Sequence, residues 1–539
     1  SIMNAVTHIT FAIPDFQTGS EIIARLPLAN PAQAALDLER LLDSLMAMPP
    51  ESETYFRLLE HARLPIAFVT EDLAKRYVNK PLPLGDIEED VFLQVTTLWR
   101  KAARAYAHCA ERDSPDDHGA AHAQRVAMLL HRCIQNTGMS IVEHLRARRE
   151  LPWGLWLDLH GYYASAEEWN IATLAISDPL EPLGRSTHIQ AAYVSFLLCD
   201  MAGYYSLSAR EQTLVRRWAA CWAPLVGLRT AQPGEALPQF VIDLMQDSAL
   251  RPVADCLQTE HLRCLDTSRL ALQLTQIKQQ LRQRIPPGEL GLGDDCSAGP
   301  CHRLLDTISR PWSQARAPRK FRRHATSGAA RLCTGFREMH FHISGKEFEQ
   351  PENVRIYSRR DYESLFAFRH QVDPTQVLQV RQEDYASLLD AWEVVNQSAN
   401  GFRLVRSTSG RKMTHGQLLA LRPHDGESFL LAQNTWLMQE KEGGLIAGVR
   451  ALPGLPVAVA ARSIAEEGET LWEFSTTYHR AFLLPAIPAV NAEQSLVIPQ
   501  GWFRKGRTIE LYSAGAWRVR LVRVLDSGPD FDRVSFELC

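Results

Sequence analysis

A cluster of basic residues in the middle of the chain could bind an anionic ligand. The guanidinium fork of arginine bonds two phosphate oxygens or the edge of a guanine, and its flat face stacks on bases. No acidic residue interrupts the cluster. Its members are Arg310, Arg316, Arg319, Lys320, Arg322 and Arg323. A solvated basic linker or a weak nucleic-acid contact would have the same composition, and the cluster alone favours that simpler interpretation.

A second set of residues, Asn396-Gln-Ser398-Ala-Asn-Gly401, lies at a predicted turn that leads into a strand. The asparagine and serine side chains offer a short donor and acceptor pair that could read the edge of a purine. Gly401 permits a backbone conformation and a close ligand approach that a Cβ would block. An ordinary turn before a strand often has these residue types too.

Taken in this order, the two sets resemble the two signatures of the PilZ family. The family pattern is Arg-x-x-x-Arg in a loop before a β-barrel, followed by Asp/Asn-x-Ser-x-x-Gly at a barrel strand. Arg319-Lys-Phe-Arg-Arg323 and Asn396-Gln-Ser-Ala-Asn-Gly401 are similar to these signatures. The wider segments 392–404 and 448–454 also resemble divergent PilZ proteins.

The resemblance implies that the chain binds cyclic di-GMP. It implies that Arg319 and Arg323 contact phosphates and guanine faces, whereas Asn396, Ser398 and Gly401 line a guanine pocket. Because the cluster offers several arginines, Arg316 or Arg322 could take the place of either motif arginine. The interval from Arg323 to Asn396 exceeds the usual family gap, and an insertion at Lys346–Leu389 accounts for the excess.

The elements that must position these residues divide the chain into a helical and a β-rich half. With 539 residues the chain exceeds the size of one hydrophobic core. Leu270, Leu274, Ile277 and Leu281 repeat at helical spacing. Three further helices are predicted: one that begins with Asn30 as N-cap and Pro31, one at Ile87–Cys109 and one at Ala121–Leu145. A capping box, Ser208 with Glu211, predicts another helix start. We expect no strand between Asn30 and Ile285.

The second half contains short segments rich in β-forming residues and separated by turn residues. The first group, which predicts a small antiparallel barrel, is 337–343, 401–406, 418–422, 428–438, 445–452 and 457–462. The second group is 471–484, 495–498, 508–512, 517–524 and 533–538. A helix-like insertion, 359–389, interrupts the first group. The overall expectation is a multi-domain α+β protein.

The predicted domains follow from this division. They are an N-terminal all-α domain (1–285), a linker with a short helix and the basic arm (286–317), a PilZ-like antiparallel barrel with the insertion 346–389 (318–463), and a C-terminal β domain (464–539).

Composition and the remaining motifs argue against other classes of protein. The formal net charge of −4 gives no general attraction to nucleic acid. We find neither a signal peptide nor a membrane span, and ten scattered cysteines suit a cytoplasmic location.

No metal site is predicted, since Cys296, Cys301, His302 and Cys333 lack zinc-finger spacing. Phosphate-loop, dinucleotide-binding and hydrolase motifs are missing, and Glu235-Ala-Leu lacks the surroundings of a phosphodiesterase, so we predict no enzyme.

The sequence therefore predicts a cytoplasmic cyclic di-GMP receptor that needs no cofactor beyond this ligand. Ligand binding would order the arm, and the helical domain would pass the signal to a protein partner in motility, pilus function or biofilm formation. A ligand-independent PilZ-like scaffold or adaptor is the alternative. Nucleic-acid binding by the basic arm is the least favoured hypothesis.

Overall fold

The computed structural model describes residues 10–113, 119–256, 260–314, 328–351, 389–398, 401–407, 410–464 and 477–539, with the backbone alone at 396–398. The chain divides into two compact units. The first comprises 1–80 and 84–321, and the second comprises 81–83 and 322–539. The first unit is mainly helical and the second contains two β-barrels, which confirms the predicted fold class.

Eight helices form the first part of the helical unit as described. They are α1 (Phe16–Ala24), α2 (Pro31–Ala47), α3 (Ser52–Ala74), α4 (Asp86–Glu111), α5 (Ala120–Arg146), α6 (Leu155–Glu168), α7 (Ile189–Ala202) and α8 (Ala209–Trp222). Both predicted helix starts are confirmed. Asn30 accepts a hydrogen bond from the backbone N–H of Gln33, and Ser208 forms a capping box with Glu211.

Helix α7 lies in the core of this unit. Of its fourteen residues, Gln190 and Asp200 are partly exposed and the other twelve are buried. A helix that is apolar on all sides must be covered on all sides, and α5, α6, α8 and α10 (defined below) pack around it. Within the described residues, no helix is both long and apolar enough to cross a membrane.

A four-stranded antiparallel sheet follows α8, so the expectation of no strand between Asn30 and Ile285 was wrong. Its strands, in the order β1-β4-β2-β3, are β1 (Gly227–Thr230), β2 (Phe240–Asp243), β3 (Leu250–Pro252) and β4 (Leu262–Asp266). Strands of three to five residues are too short to show the alternation that identifies a strand. Tertiary packing of Val241 against Leu262 and Cys264 stabilises them instead.

Two more helices complete this unit: α9 (Ser268–Arg282) and α10 (Ala298–Trp312). The four apolar residues predicted for α9 are its buried residues, which confirms that helix. Helix α10 falls in the predicted linker, yet its Trp312 is fully buried and donates a hydrogen bond from Nε1 to the carbonyl of Leu198 at 2.8 Å. The helical unit therefore extends beyond the predicted boundary at residue 285.

The first barrel of the second unit contains six antiparallel strands and one helix. They are β5 (Gly328–Thr334), α11 (Phe336–Ser344), β6 (Asp390–Ser398), β7 (Gly401–Arg406), β8 (Leu418–Pro423), β9 (Leu430–Gln439) and β10 (Leu445–Ala451). The strands close in the order β10-β7-β6-β5-β8-β9. The strands predicted at 401–406, 418–422, 428–438 and 445–452 are confirmed. Most of the predicted insertion at 346–389, with nearly all of its helix-like part 359–389, lies outside the described residues.

The strand predicted at 337–343 was wrong, because these residues form α11. Phe336, Met339, His340 and Ile343 recur at helical spacing, and this signal was available in the sequence. His340 is buried, and its Nε2 hydrogen-bonds to the carbonyl of Val459 at 3.0 Å. It therefore connects α11 to the next barrel.

The second barrel consists of six antiparallel strands. They are β11 (Val457–Ser463), β12 (His479–Leu484), β13 (Ser495–Pro499), β14 (Thr508–Tyr512), β15 (Ala516–Ser527) and β16 (Phe531–Leu538), closed in the order β11-β12-β13-β16-β15-β14. The segment of β11 was predicted to belong to the first barrel. It belongs to the second, because it pairs with β12 and β14.

The two barrels share a hydrophobic cluster that contains Leu431 from the first and Phe482 and Phe531 from the second. Asp530, in the turn between β15 and β16, accepts a hydrogen bond from the backbone N–H of Leu418 at 3.1 Å. Burial raises the pKa of Asp530 to about 6. A charged carboxylate at this junction therefore disfavours the folded state.

Replacing Asp530 by asparagine is expected to stabilise the barrel unit at pH 8 and to have little effect near pH 4. The folded state holds the aspartic proton more tightly than the unfolded state, so stability falls as pH rises from about 4 to about 6. Asparagine keeps an acceptor for Leu418 and removes the charge. Urea unfolding at both pH values should show a gain on the order of 2 kcal/mol at pH 8. An equal gain at pH 4 would contradict this explanation.

Candidate ligand-binding face of the first barrel

The four arginines of the predicted arm, Arg316, Arg319, Arg322 and Arg323, lie outside the described residues. Their contact with the barrel therefore stays a prediction. The described part of the predicted site is the hairpin formed by β6 and β7, which contains Gly401 and the backbone of Asn396 and Ser398.

The hairpin register brings the second predicted motif together. Ser398 pairs with Gly401, and Asn396 pairs with Arg403 two residues further from the turn. A register shift between Val394 and Asn396 precedes the motif. Such a bulge increases the local twist of a strand and re-aims its end. The three motif positions therefore occupy the tip of one hairpin.

Strand β10 lies beside β7 and extends this face. Gly401 pairs with Arg450, and Arg403 pairs with Gly448. Gly448 in turn pairs with Trp436 of β9. Directly paired residues point to the same side of a sheet, so Arg403, Gly448 and Trp436 form one row across three strands.

Arg403 and Trp436 are in contact within this row. The guanidinium carbon of Arg403 lies 5.3 Å from the centroid of the indole ring, within the range of a cation–π interaction. A Cβ at Gly448 would lie 3.2 Å from the Cβ of Trp436, which is a tight contact. The glycine therefore leaves a depression between the two larger side chains.

Arg403 and Trp436 were not among the binding residues predicted from the sequence. Arg403 follows Gly401 by two positions in the same strand, so alternation could have placed the two on one face. Trp436 is more than thirty residues further along the chain, and only the strand order brings it into the row.

Arg450, the other arginine paired near the hairpin tip, is held by the second barrel. Its Nη2 lies 2.8 Å from Oδ1 of Asp526, and the other oxygen of that carboxylate binds Arg533 at 2.5 Å. Because Arg450 is 41% exposed, this ion pair adds little stability but gives the side chain a preferred direction. The Asp526 carboxylate also offsets the positive charge of Arg450.

The opposite end of the hairpin is fixed inside the barrel. Arg406, the last residue of β7, is only 3% exposed and donates a hydrogen bond from Nη1 to Asp390, the first residue of β6, at 2.6 Å. Its guanidinium also lies 5.0 Å from the ring centroid of Trp392. Burial lowers the pKa of Arg406. This pair ties the two strands at the end remote from the motif.

The partly exposed guanidinium of Arg403, beside Gly448, could stack on a flat polar ring. The indole of Trp436 is only 8% exposed, so it supports the Arg403 guanidinium from behind. The backbone of Asn396 and Ser398 lies at the tip of the same hairpin. Within the described residues, no group of three or more His, Cys, Asp or Glu is arranged to hold a metal ion.

Comparison with known families matches three consecutive parts of the chain. Residues 18–235 match the N-terminal domain of the cyclic-di-GMP receptor FimW, and residues 239–376 match its middle PilZ domain. Residues 469–539 match the FimW C-terminal β-barrel domain. The chain belongs to the FimW family of PilZ-domain proteins.

The chain is also similar to a curated FimW-family protein, the cyclic-di-GMP receptor FimW of Pseudomonas aeruginosa. The two are 23% identical over 534 residues, which cover 92% of this chain and 86% of that protein. No solved structure matches the chain at a significant level.

The three FimW matches divide the chain differently from the domain boundaries predicted here. The PilZ match begins at residue 239, in the sheet that follows α8, and ends at residue 376. Most strands of the first barrel, including the β6–β7 hairpin, follow that match in the chain. The predicted PilZ-like domain at 318–463 therefore stays a prediction, and it overlaps the match over residues 318–376.

Proposed function

We propose that this protein is a cyclic di-GMP receptor and effector whose ligand binds on the outer face of the first barrel at the β6–β7 hairpin. The observation that carries the proposal is the hairpin register. It places Asn396, Ser398 and Gly401 at one tip, next to Arg403 and Trp436. Similarity to a FimW protein described as a cyclic-di-GMP receptor supports the same ligand.

In the proposed complex, the barrel face and the arm divide the ligand between them. Asn396 and Ser398 hydrogen-bond to the edge of one guanine, and the ring stacks beside Trp436 and Arg403. Arg319 and Arg323, with Arg316 or Arg322 as possible substitutes, bind the phosphates and the exposed guanine faces. Each phosphodiester carries one negative charge, which matches the charge of one arginine.

The proposed output is a change in the surface presented by the helical domain to a protein partner. Binding would order the arm that joins the two units, and ordering of a segment by an anionic ligand is a common switch. We propose a receptor rather than an enzyme, acting in the cytoplasm without a further cofactor, with an output in motility, pilus function or biofilm formation.

Calorimetric titration of the full-length protein tests the proposal. Cyclic di-GMP should bind with a saturable heat signal at micromolar concentration, whereas GMP and cyclic di-AMP should bind far more weakly. A Gly448→Leu variant should weaken cyclic di-GMP binding by about tenfold or more, because the new side chain fills the depression beside Trp436.

The control is Ala516→Leu, which adds similar bulk at an exposed strand position in the second barrel. It should leave the affinity unchanged. If the wild-type protein gives no heat with cyclic di-GMP at tens of micromolar, the receptor proposal fails and the ligand-independent scaffold becomes the better explanation. Circular dichroism of both variants shows whether the barrels are still folded.

A further inference from the structure

A cavity of about 320 Å³ lies between α3, α4 and α5 of the helical unit. Leu180, in the segment after α6, and Met139 of α5 contribute apolar walls. Its volume is at the lower end of the range for small-molecule sites in proteins. None of the residues that line this cavity belongs to the β6–β7 hairpin.

Two buried side chains form part of the cavity wall, and one of them offers a hydrogen-bond acceptor. Trp99 is 7% exposed, and its indole N–H has no hydrogen-bond partner among the described residues. Asn136 is 4% exposed and donates from Nδ2 to the carbonyl of Arg132 at 2.8 Å, which orients its amide. Its carbonyl oxygen is then the acceptor. The Trp99 nitrogen has almost no accessible surface, so the indole contributes its ring to the wall rather than its N–H.

The charged residues around the cavity are already bonded to one another. Arg63 binds both oxygens of Asp178, with the shorter contact at 2.8 Å. Arg146 binds Glu143 at 2.6 Å and also contacts Glu71. Two guanidinium groups therefore face three carboxylates, and an anion such as a phosphate would meet no net positive charge.

We propose that this cavity binds a small, uncharged, planar heteroaromatic molecule of nucleobase size. Such a ring would pack against the flat indole of Trp99 and the thioether of Met139. An amino group on the ring would donate to the carbonyl oxygen of Asn136. The site is separate from the cyclic di-GMP site and does not depend on it.

The test uses the full-length protein labelled with 5-fluorotryptophan, with adenine and nicotinamide as probes. The ¹⁹F resonance of Trp99, assigned by its loss in Trp99→Phe, should shift in a saturable manner with at least one probe. The resonance of the exposed Trp153 should not move. AMP, which adds a phosphate to adenosine, should bind at least about tenfold more weakly than adenine.

Two cavity variants and one surface variant complete the experiment. Ala67→Leu fills the cavity and Asn136→Leu removes the acceptor, so both should abolish the shift. Ala121→Leu adds the same bulk at an exposed position of α5 and should retain it. If one cavity variant does not fold, the other decides the outcome.

The site proposal is overturned if Trp99 does not respond to adenine or nicotinamide at millimolar concentration, or if the shift persists in a folded cavity variant. It is also overturned if AMP binds as well as adenine. Cyclic di-GMP affinity should be the same in Ala67→Leu as in the wild type, so failure of this site and failure of the receptor proposal are distinguishable.

Discussion

Replacing Arg319 and Arg323 together by alanine is expected to reduce cyclic di-GMP affinity by about 100-fold or more. Each charge-assisted hydrogen bond to a phosphate or guanine contributes about 1.5–3 kcal/mol, and two such groups are lost. The melting temperature should change little, because these residues belong to an arm whose proposed role is to contact the ligand. Calorimetric titration of wild type and variant measures the difference.

A matched control removes the same charge elsewhere. Arg282 and Arg303 are exposed residues of α9 and α10, and the double alanine variant lowers the net charge equally. Unchanged affinity in this control would show that the loss is specific to the arm. If the arm variant bound as tightly as wild type, single replacements of Arg316 and Arg322 would show whether the arginine register is shifted. If the double variant and both single variants bound cyclic di-GMP as tightly as the wild type, the arm would be excluded from the binding site.

Replacing Asp390 by alanine is expected to destabilise the first barrel by about 3 kcal/mol. Arg406 is almost fully buried within the barrel, and it forms an ion pair there with Asp390 at 2.6 Å. Removing one member of a buried pair leaves an uncompensated charge, which costs more than the pair contributed. Urea unfolding followed by tryptophan fluorescence should show the loss, since Trp392 contacts Arg406.

Two comparisons separate this explanation from a general effect of losing a carboxylate. Asp390→Leu combined with Arg406→Met removes both charges and should recover most of the lost stability. Glu493→Ala breaks the exposed pair with Arg523 and should cost less than about 1 kcal/mol. The double variant could instead be less stable than Asp390→Ala. That result would show that the charge of Arg406 stabilises the barrel, and it would contradict the explanation by an uncompensated buried charge.

The parts of the fold that the sequence predicted are those governed by local signals. The N-caps at Asn30 and Ser208 and the apolar stripe of α9 depend on residues within one or two helical turns. The strands β7 to β10 are flanked by glycine and aspartate turns that mark their ends. These features need no knowledge of distant contacts.

The parts that the sequence did not predict depend on partners far along the chain. β2 and β3 are too short to show alternation and are stabilised by pairing and packing. β11 could follow the first barrel or begin the second, and only its pairing with β12 and β14 decides between them. At the candidate site, the hairpin motif was recognisable, whereas Trp436 joins it through strand order.

Closure of both barrels limits how a partner protein can bind by strand addition. A closed barrel presents no strand edge with unpaired backbone groups, so an incoming peptide cannot extend either one. In the described chain, the remaining sheet has β1 and β3 as its outer strands. β3 ends in Pro252, which lacks a backbone N–H. Among the described strands, the four residues Gly227–Thr230 therefore form the edge best suited to pair with an added peptide strand.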